Sequence, residues 1–226
     1  MLSSTPGSNW PRRLLLLAQL ATTIIILTLP VPNTVKLVAL LILWLITFWP
    51  LQRSDYVLFL IAAIFFTLMN VMSLKQGLFW FTQPDLFGLP AYEFAMWGFY
   101  LLHVRRMISL PAPPAVRRPI IVLVLGYSAA FALLSNQQAL LYTTLALLIA
   151  GLSLYHDKAD LAFTLYMIFV GACIEYAGTA FGLWQYASAP AGGVPLWFVT
   201  LWGGVGFFLN RLVRPLLQRV DAKILA

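Results

Sequence analysis

Residues 175–203 read EYAGTAFGLWQYASAPAGGVPLWFVTLWG, from Glu175 to Gly203, and this stretch decides the fold. A carboxylate stands late in an apolar run, a passage of Gly, Pro and aromatics follows, and a second apolar run opens on Trp197. An ionisable residue at membrane depth is costly, which makes Glu175 a functional candidate. Residues 70–98, NVMSLKQGLFWFTQPDLFGLPAYEFAMWG, carry the same punctuation 105 residues earlier. At that offset Asn70 falls on Glu175, Gly77 on Gly182, Gly88 on Gly193, Pro90 on Pro195, Trp97 on Trp202 and Gly98 on Gly203.

Working outward, the register continues without a gap. Arg12 matches Arg117, Arg13 matches Arg118, Arg53 matches Lys158, Asp55 matches Asp160 and Arg106 matches Arg211. Hydrophobic background cannot mimic this, because the matches include charges, Gly, Pro and Trp. The chain is 62% hydrophobic and 9% charged over 226 residues, whereas a soluble domain carries about a quarter charged residues. Runs long enough to span a bilayer lie near 13–30, 35–52, 55–74, 91–108, 118–135, 138–155, 160–180 and 196–213. The reading is an all-α polytopic membrane protein with eight transmembrane helices. It forms a single membrane domain of two four-helix repeats, 1–110 and 111–226, joined by the stiff Pro111-Ala112-Pro113-Pro114 linker. Four helices per unit is an even number, so both units enter the membrane from the same side and form parallel repeats. The first run ends Leu29-Pro30-Val31-Pro32 without a small-residue cleavage site, so it is expected to be retained rather than removed as a signal peptide.

Lys and Arg in short loops set the orientation. With the N-terminus inside, the inner segments hold Arg12, Arg13, Arg53, Arg105, Arg106, Arg117, Arg118, Lys158, Arg211, Arg214, Arg219 and Lys223, and the outer ones only Lys36 and Lys75. Both termini are therefore expected in the cytoplasm, in the cell inner membrane. The net charge of +7 is accounted for by this topology rather than by nucleic-acid binding. Cys173 is the only cysteine, which excludes an intrachain disulfide.

Glu175, Thr179 and Gly182 fall at i, i+4 and i+7, on one face of a helix near its outer end. Glu93 stands in the first turn of the fourth helix at the same depth. Asn70 occupies the repeat position of Glu175 and Phe198 that of Glu93, so the two carboxylates are not symmetric. Asp85, in the first outer loop, is the next candidate. Around them lie Phe79, Trp80, Phe81, Tyr92, Trp97, Trp184, Tyr186, Trp197 and Trp202. A carboxyl group enclosed in apolar surroundings is kept protonated near neutral pH and can act as a general acid towards an alkene. Indole and phenol faces then shield the resulting cation.

Simpler roles compete for these residues. Outer-end Trp and Tyr form interfacial belts, Glu93 can complement a helix dipole, and Glu175 can bond Thr179 or Asn70 between helices. Asp55 and Asp160 open their helices and read as caps, and Arg106 and Arg211 as positive-inside anchors. His103 lies one turn from the inner surface and His156 in an inner loop. Two histidines away from the motif do not make a histidine metal centre, and no cofactor is expected.

The run Glu175-x3-Thr179-x2-Gly182-x-Trp184-x-Tyr186 resembles the D-x3-T-x2-G-x-W-x-Y signature of the membrane-integral, heterodimeric-type lycopene cyclases. Gly193-Val194-Pro195-Leu196, followed by Trp202, resembles the carotenoid hydratases of bacterioruberin synthesis. The resemblance implies an all-helical enzyme that protonates a polyene end and then closes a ring or accepts water, with Glu175 as the acid or cation-stabilising carboxylate. Pro90-Ala91-Tyr92-Glu93 matches the cyclase P-x-E-E motif only at Glu93. Glu replaces Asp at 175, and Pro195-Leu196-Trp197-Phe198 lacks both acids of the second copy.

The expectation is an enzyme of cyclisation or hydration on a carotenoid or other isoprenoid lipid in the bilayer. Glu175 is its principal acid, Glu93 its second carboxylate, and Trp80, Trp184, Tyr186 and Trp197 its cation-shielding wall. Asn70, Phe81, Asp85, Tyr92, Trp97, Thr179 and Trp202 complete the substrate site. A homo-oligomer or a complex with other membrane enzymes is compatible with it. The alternatives are a transporter or lipid-binding protein with Glu175 as proton-coupling group, and a non-catalytic membrane assembly factor. Against transport, polar side chains collect at the outer end. Glu175→Gln is expected to abolish activity while leaving the fold intact.

Overall fold

The structure is a computed structural model that describes residues 10–116, 118–187 and 193–222. The charges read at Arg117 and Lys223 lie outside the described residues. The elements are α1 (Trp10–Thr28), α2 (Asn33–Phe48), α3 (Arg53–Lys75), β1 (Phe79–Phe81), α4 (Glu93–Met107), α5 (Arg118–Leu133), α6 (Gln137–Tyr155), α7 (Lys158–Ala180), β2 (Trp184–Tyr186), α8 (Trp197–Phe208), a π-helical segment (Leu209–Val213) and α9 (Arg214–Ala222). Of these, α1, α3, α6 and α7 are long and apolar enough to cross a membrane.

The helices differ in how they are buried. α4 is buried without interruption from Ala95 to Val104, and α8 is buried at every position from Trp197 to Phe207 except Val199. Apart from His103 and Thr200 these buried stretches are apolar on every side, the pattern of a central helix. The surrounding helices bury one stripe each: Lys36, Leu40, Trp44 and Phe48 in α2, and Leu58, Ala62, Phe66 and Asn70 in α3. Their other faces leave Val38, Ile42, Ile46, Leu60, Ile64 and Leu68 exposed. Apolar residues facing outward suit a lipid surround, where helix association rests on close packing rather than on a hydrophobic drive. Gly206 shows the packing: a Cβ there would meet the Phe163 carbonyl, so α8 lies directly on α7.

β1 and β2 pair antiparallel as Phe79↔Tyr186, Trp80↔Gln185 and Phe81↔Trp184, joining the two halves of the chain. Positive-φ glycines turn the chain into each strand, Gly77 at 69° and Gly182 at 65°. That conformation costs an L-residue with a Cβ.

Several expectations need correction. Gly182 does not share a helical face with Glu175, because α7 ends at Ala180 and Phe181 caps it. An all-α reading overlooks the ribbon; three-residue strands are too short to show an alternating pattern. The last apolar run continues as α8, the π segment and α9 rather than stopping at 213. Lys36 sits inside α2, buried, and its Nζ donates to the Leu27 carbonyl at 2.6 Å, satisfying the C-terminal end of α1.

Arg106 and Arg211 are more than anchors. Arg106 and Arg105 both reach the buried Asp55, Arg105 at 2.9 Å. Arg211 reaches the buried Asp160 at 2.6 Å and Asp157 at 3.2 Å, and Asn210 Nδ2 also donates to Asp160 at 2.7 Å. Asp55 doubles as a cap by accepting from the Gln52 N–H. These clusters close the end of the bundle opposite the ribbon.

Candidate functional site

Glu175 stands in the last turns of α7. Its Oε2 accepts from the Trp184 indole at 3.0 Å and the Tyr186 hydroxyl at 2.5 Å, and its Oε1 from the Trp202 indole at 3.0 Å. Residues 184 and 186 share one face of β2, as alternate strand positions must, so the ribbon delivers two donors together. Glycines on the same helix make room for the indoles. A Cβ on Gly171 would overlap the Trp202 ring, and one on Gly178 the Trp184 ring. Three side-chain donors thus converge on its two oxygens, and hydrogen bonds to a carboxylate are the strong ones. Burial first, then the Glu175 charge, pushes the Tyr186 phenol well above its ordinary range. Tyr186 therefore remains a donor.

Glu93, half-buried at the start of α4, is held differently. Its Oε1 accepts from Asn70 Nδ2 at 3.0 Å, while its other oxygen has no hydrogen-bond partner among the described residues. Both carboxyl groups line one cavity of about 50 Å³ between the two halves. A water needs roughly 10–15 Å³ on this measure, so the space suits a few waters or one small group.

The cavity gathers most of the expected residues: Asn70, Phe81, Tyr92, Trp97, Trp184, Tyr186, Trp197 and Trp202, with both acids. Trp97 and Trp202 stack at 4.7 Å, and Tyr186 meets Trp197 edge-on at 5.5 Å. Trp197 Nε1 is buried without a hydrogen-bond partner among the described residues. Since buried donors are nearly always satisfied, this N–H marks a place for an acceptor.

Three expected residues stand elsewhere. Trp80 is 45% exposed, because strand alternation turns it away from Phe79 and Phe81. Thr179 Oγ1 donates back to the Glu175 carbonyl at 2.9 Å, a local helix bond. Asp85 Oδ2 accepts from Asn33 Nδ2 at 2.9 Å and the Ala91 N–H at 2.7 Å, fixing its loop. Ser73, Met96 and Tyr100 line the cavity unforeseen. Tyr100 follows Trp97 by three residues, a spacing that could have signalled it.

The expectation that polar groups collect at the ribbon end also fails. His103 is buried, with Nδ1 2.8 Å from Gln19 Oε1 and Nε2 2.8 Å from the Tyr166 hydroxyl. Gln19 Nε2 donates to Thr23 at 2.9 Å, and the Trp44 indole to the same hydroxyl at 3.2 Å. Because Gln19 Oε1 can only accept, Nδ1 carries the proton and Tyr166 donates to Nε2. Among the described residues no group of His, Cys, Asp and Glu could hold a metal ion.

Comparison with known proteins bears on the fold. Residues 120–225 match a family model described as "Protein of unknown function (DUF2878)". No curated protein matches the chain. Among solved structures, the chain is similar to a mycobacterial Insig homolog, MvINS, from Mycobacterium vanbaalenii. The TM-score is 0.60 at 17% identity, covering 74% of this chain and 97% of that one. A cross-linked trimer of MvINS matches with the same figures. At that identity the likeness is one of fold, and the chain is accordingly a helical membrane protein with an Insig-like fold.

Proposed function

We propose that the chain is an integral-membrane enzyme that adds a proton, and then water, to the unsaturated end of an isoprenoid lipid such as a carotenoid. The observation that carries this reading is the unequal treatment of two carboxyl groups on one aromatic-walled cavity. Glu175, held by three donors, supplies a fixed negative charge beside the developing cation. Glu93, with its Oε1 bonded to Asn70, is free to carry a proton on Oε2. The two acids thus exchange the roles expected from sequence.

In the proposed step the Glu93 proton passes to one alkene carbon as the π bond breaks, leaving a tertiary cation faced by Trp97 and Trp202. A water accepting from the Trp197 N–H attacks the cation through its oxygen, and one of its protons returns to Glu93. The sum is alkene plus water giving an alcohol, without redox change or cofactor. An N–H placed to hold water favours hydration over ring closure.

The finer architecture belongs to the same proposal: eight spans in two parallel four-helix repeats, both termini on the cytoplasmic side of the inner membrane. The matched 23-residue helices α3 and α7 support it. So do the Asp55–Arg106 and Asp160–Arg211 pairs, each at the 105-residue offset.

The test is mass spectrometry of lipids from cells with and without the protein, supplied with a linear polyene. A product heavier by one water, lost in Glu93→Gln, is expected. A product of equal mass would favour cyclisation, and no product across several isoprenoids would overturn the enzyme reading. One observation favours a second reading, proton-coupled transport: the His103 chain places polar groups beneath the cavity. In that case Glu93→Gln would abolish uptake into vesicles without any lipid being converted.

A further inference from the structure

Beside the acid cavity lies a second, larger one of about 180 Å³. It runs between α3, α5 and α8, with Leu58, Val124 and Val205 on its walls and the π segment contributing Leu209, Leu212 and Val213. Its lining is apolar except for Ser128 and Tyr127, and the Tyr127 hydroxyl already donates to the Thr200 carbonyl. Ile61 and Phe65 line it too, yet are 58% and 43% exposed on the outer surface of α3. The slot therefore opens sideways to the surface that lipid would cover. Met69, Phe131 and Leu201 belong to the linings of both cavities. They are the partition between slot and acids.

We infer that this slot is the binding site for the apolar end of a methyl-branched hydrocarbon chain, entering laterally from the bilayer between α3 and α5. The inference rests on the proposed chemistry for its substrate and adds where that substrate sits and how it arrives. An apolar cavity of about 150 Å³ stays dry and takes up benzene, so this one accommodates on the order of one or two five-carbon units. The rest of the chain stays in the membrane. Among the described residues no charged side chain lines the slot, so an ionic headgroup has no partner there. The chain's terminal double bond then lies against Met69, Phe131 and Leu201, the side chains that separate it from Glu93. The π segment, an irregularity common at functional sites, forms part of the wall.

The experiment is photolabelling in lipid bilayers with a linear isoprenoid bearing a diazirine at its apolar end, followed by peptide mapping. Wild type and Glu93→Gln should both be labelled on residues 58–69 of α3 and 124–131 of α5. Val124→Trp, which fills the slot, should lower that labelling about tenfold, the ratio that 1.4 kcal/mol of binding represents. Val205→Phe should lower it in the same direction, guarding against a folding defect peculiar to one variant. Val122→Trp, on the exposed face of α5, should change nothing. Labelling spread evenly over lipid-facing helices, or unchanged in both filled variants, overturns the slot. A labelled slot without any alcohol product overturns the chemistry alone. Wild-type conversion rates in Val124→Trp overturn the slot while leaving the chemistry.

Discussion

At the scale of single residues, three donors converge on Glu175 and one on Glu93. A glutamine at 175 would keep one acceptor oxygen and turn an NH2 group towards an indole N–H or the Tyr186 hydroxyl. Glu175→Gln should therefore destabilise the protein by about 1–3 kcal/mol, the cost of leaving buried donors unsatisfied. Thermal unfolding in nanodiscs would measure it. This departs from the sequence expectation that Gln would be tolerated. Trp197→Phe removes this N–H together with part of a buried ring packed on Phe131 and Tyr186, so it should lower both the melting temperature and the yield of alcohol product. Glu175, Glu93 and the paired aromatics were legible in the sequence because they are chemically unusual in apolar runs. Their division of labour was not, since it depends on which donors arrive from β2 and α8. Tyr100 escaped notice because it looked ordinary within its own helix, and His103 gave no hint of the Gln19 and Tyr166 partners that other helices bring to it.

At the scale of elements, apolar runs revealed the helices to within a few residues. The ribbon, the π segment and α9 left no such trace. Pairing between β1 and β2 spans about a hundred residues of chain, and no local pattern encodes a partner that distant. The turn glycines separate two kinds of cost. A Cβ on Gly182 meets nothing within 4 Å, so Gly182→Ala should cost only its left-handed backbone, about 1–2 kcal/mol. Gly178→Ala drives a methyl into the Trp184 indole and should cost more. It should also change the tryptophan fluorescence, because the ring must leave Glu175. Comparing the two variants by unfolding and emission spectra tests whether α7 was shaped around that indole.

At the scale of the whole molecule, buried ion pairs and topology come together. Removing one partner of a buried pair is costly because the other charge is left behind. Arg211→Met, which leaves the fully buried Asp160 with only the Asn210 amide, should therefore lose about 3–5 kcal/mol, read as a lower melting temperature and poorer yield. The proposed orientation can be checked in a Cys173→Ser background. A cysteine at the exposed Gln83 should react with a membrane-impermeant maleimide on intact cells, and one at the exposed Ser109 only after permeabilisation. The reverse pattern would invert the topology. The proposed orientation rests on loop charge alone, whereas the burial of Lys36 was not legible in the sequence, since its partner carbonyl lies on another helix.

The ribbon register has one more consequence. Trp80 pairs with Gln185, its own counterpart in the second half, and Trp97 stacks on its counterpart Trp202. Equivalent residues meet one another only on a two-fold axis, the signature of a self-complementary contact. Under the proposed repeat, an ancestral chain of half this length would have closed the same ribbon with a second copy of itself. In such a pair, positions 70 and 175 would have been identical, as would 93 and 198. An asparagine bonded to one acid, with a different acid across the axis, is an arrangement that symmetry forbids. Under the same proposal, gene fusion would have lifted that restriction and let each half mutate independently at a shared centre. Co-expressing residues 1–110 and 111–226 as separate polypeptides should then rebuild the full protein, while either half alone should not.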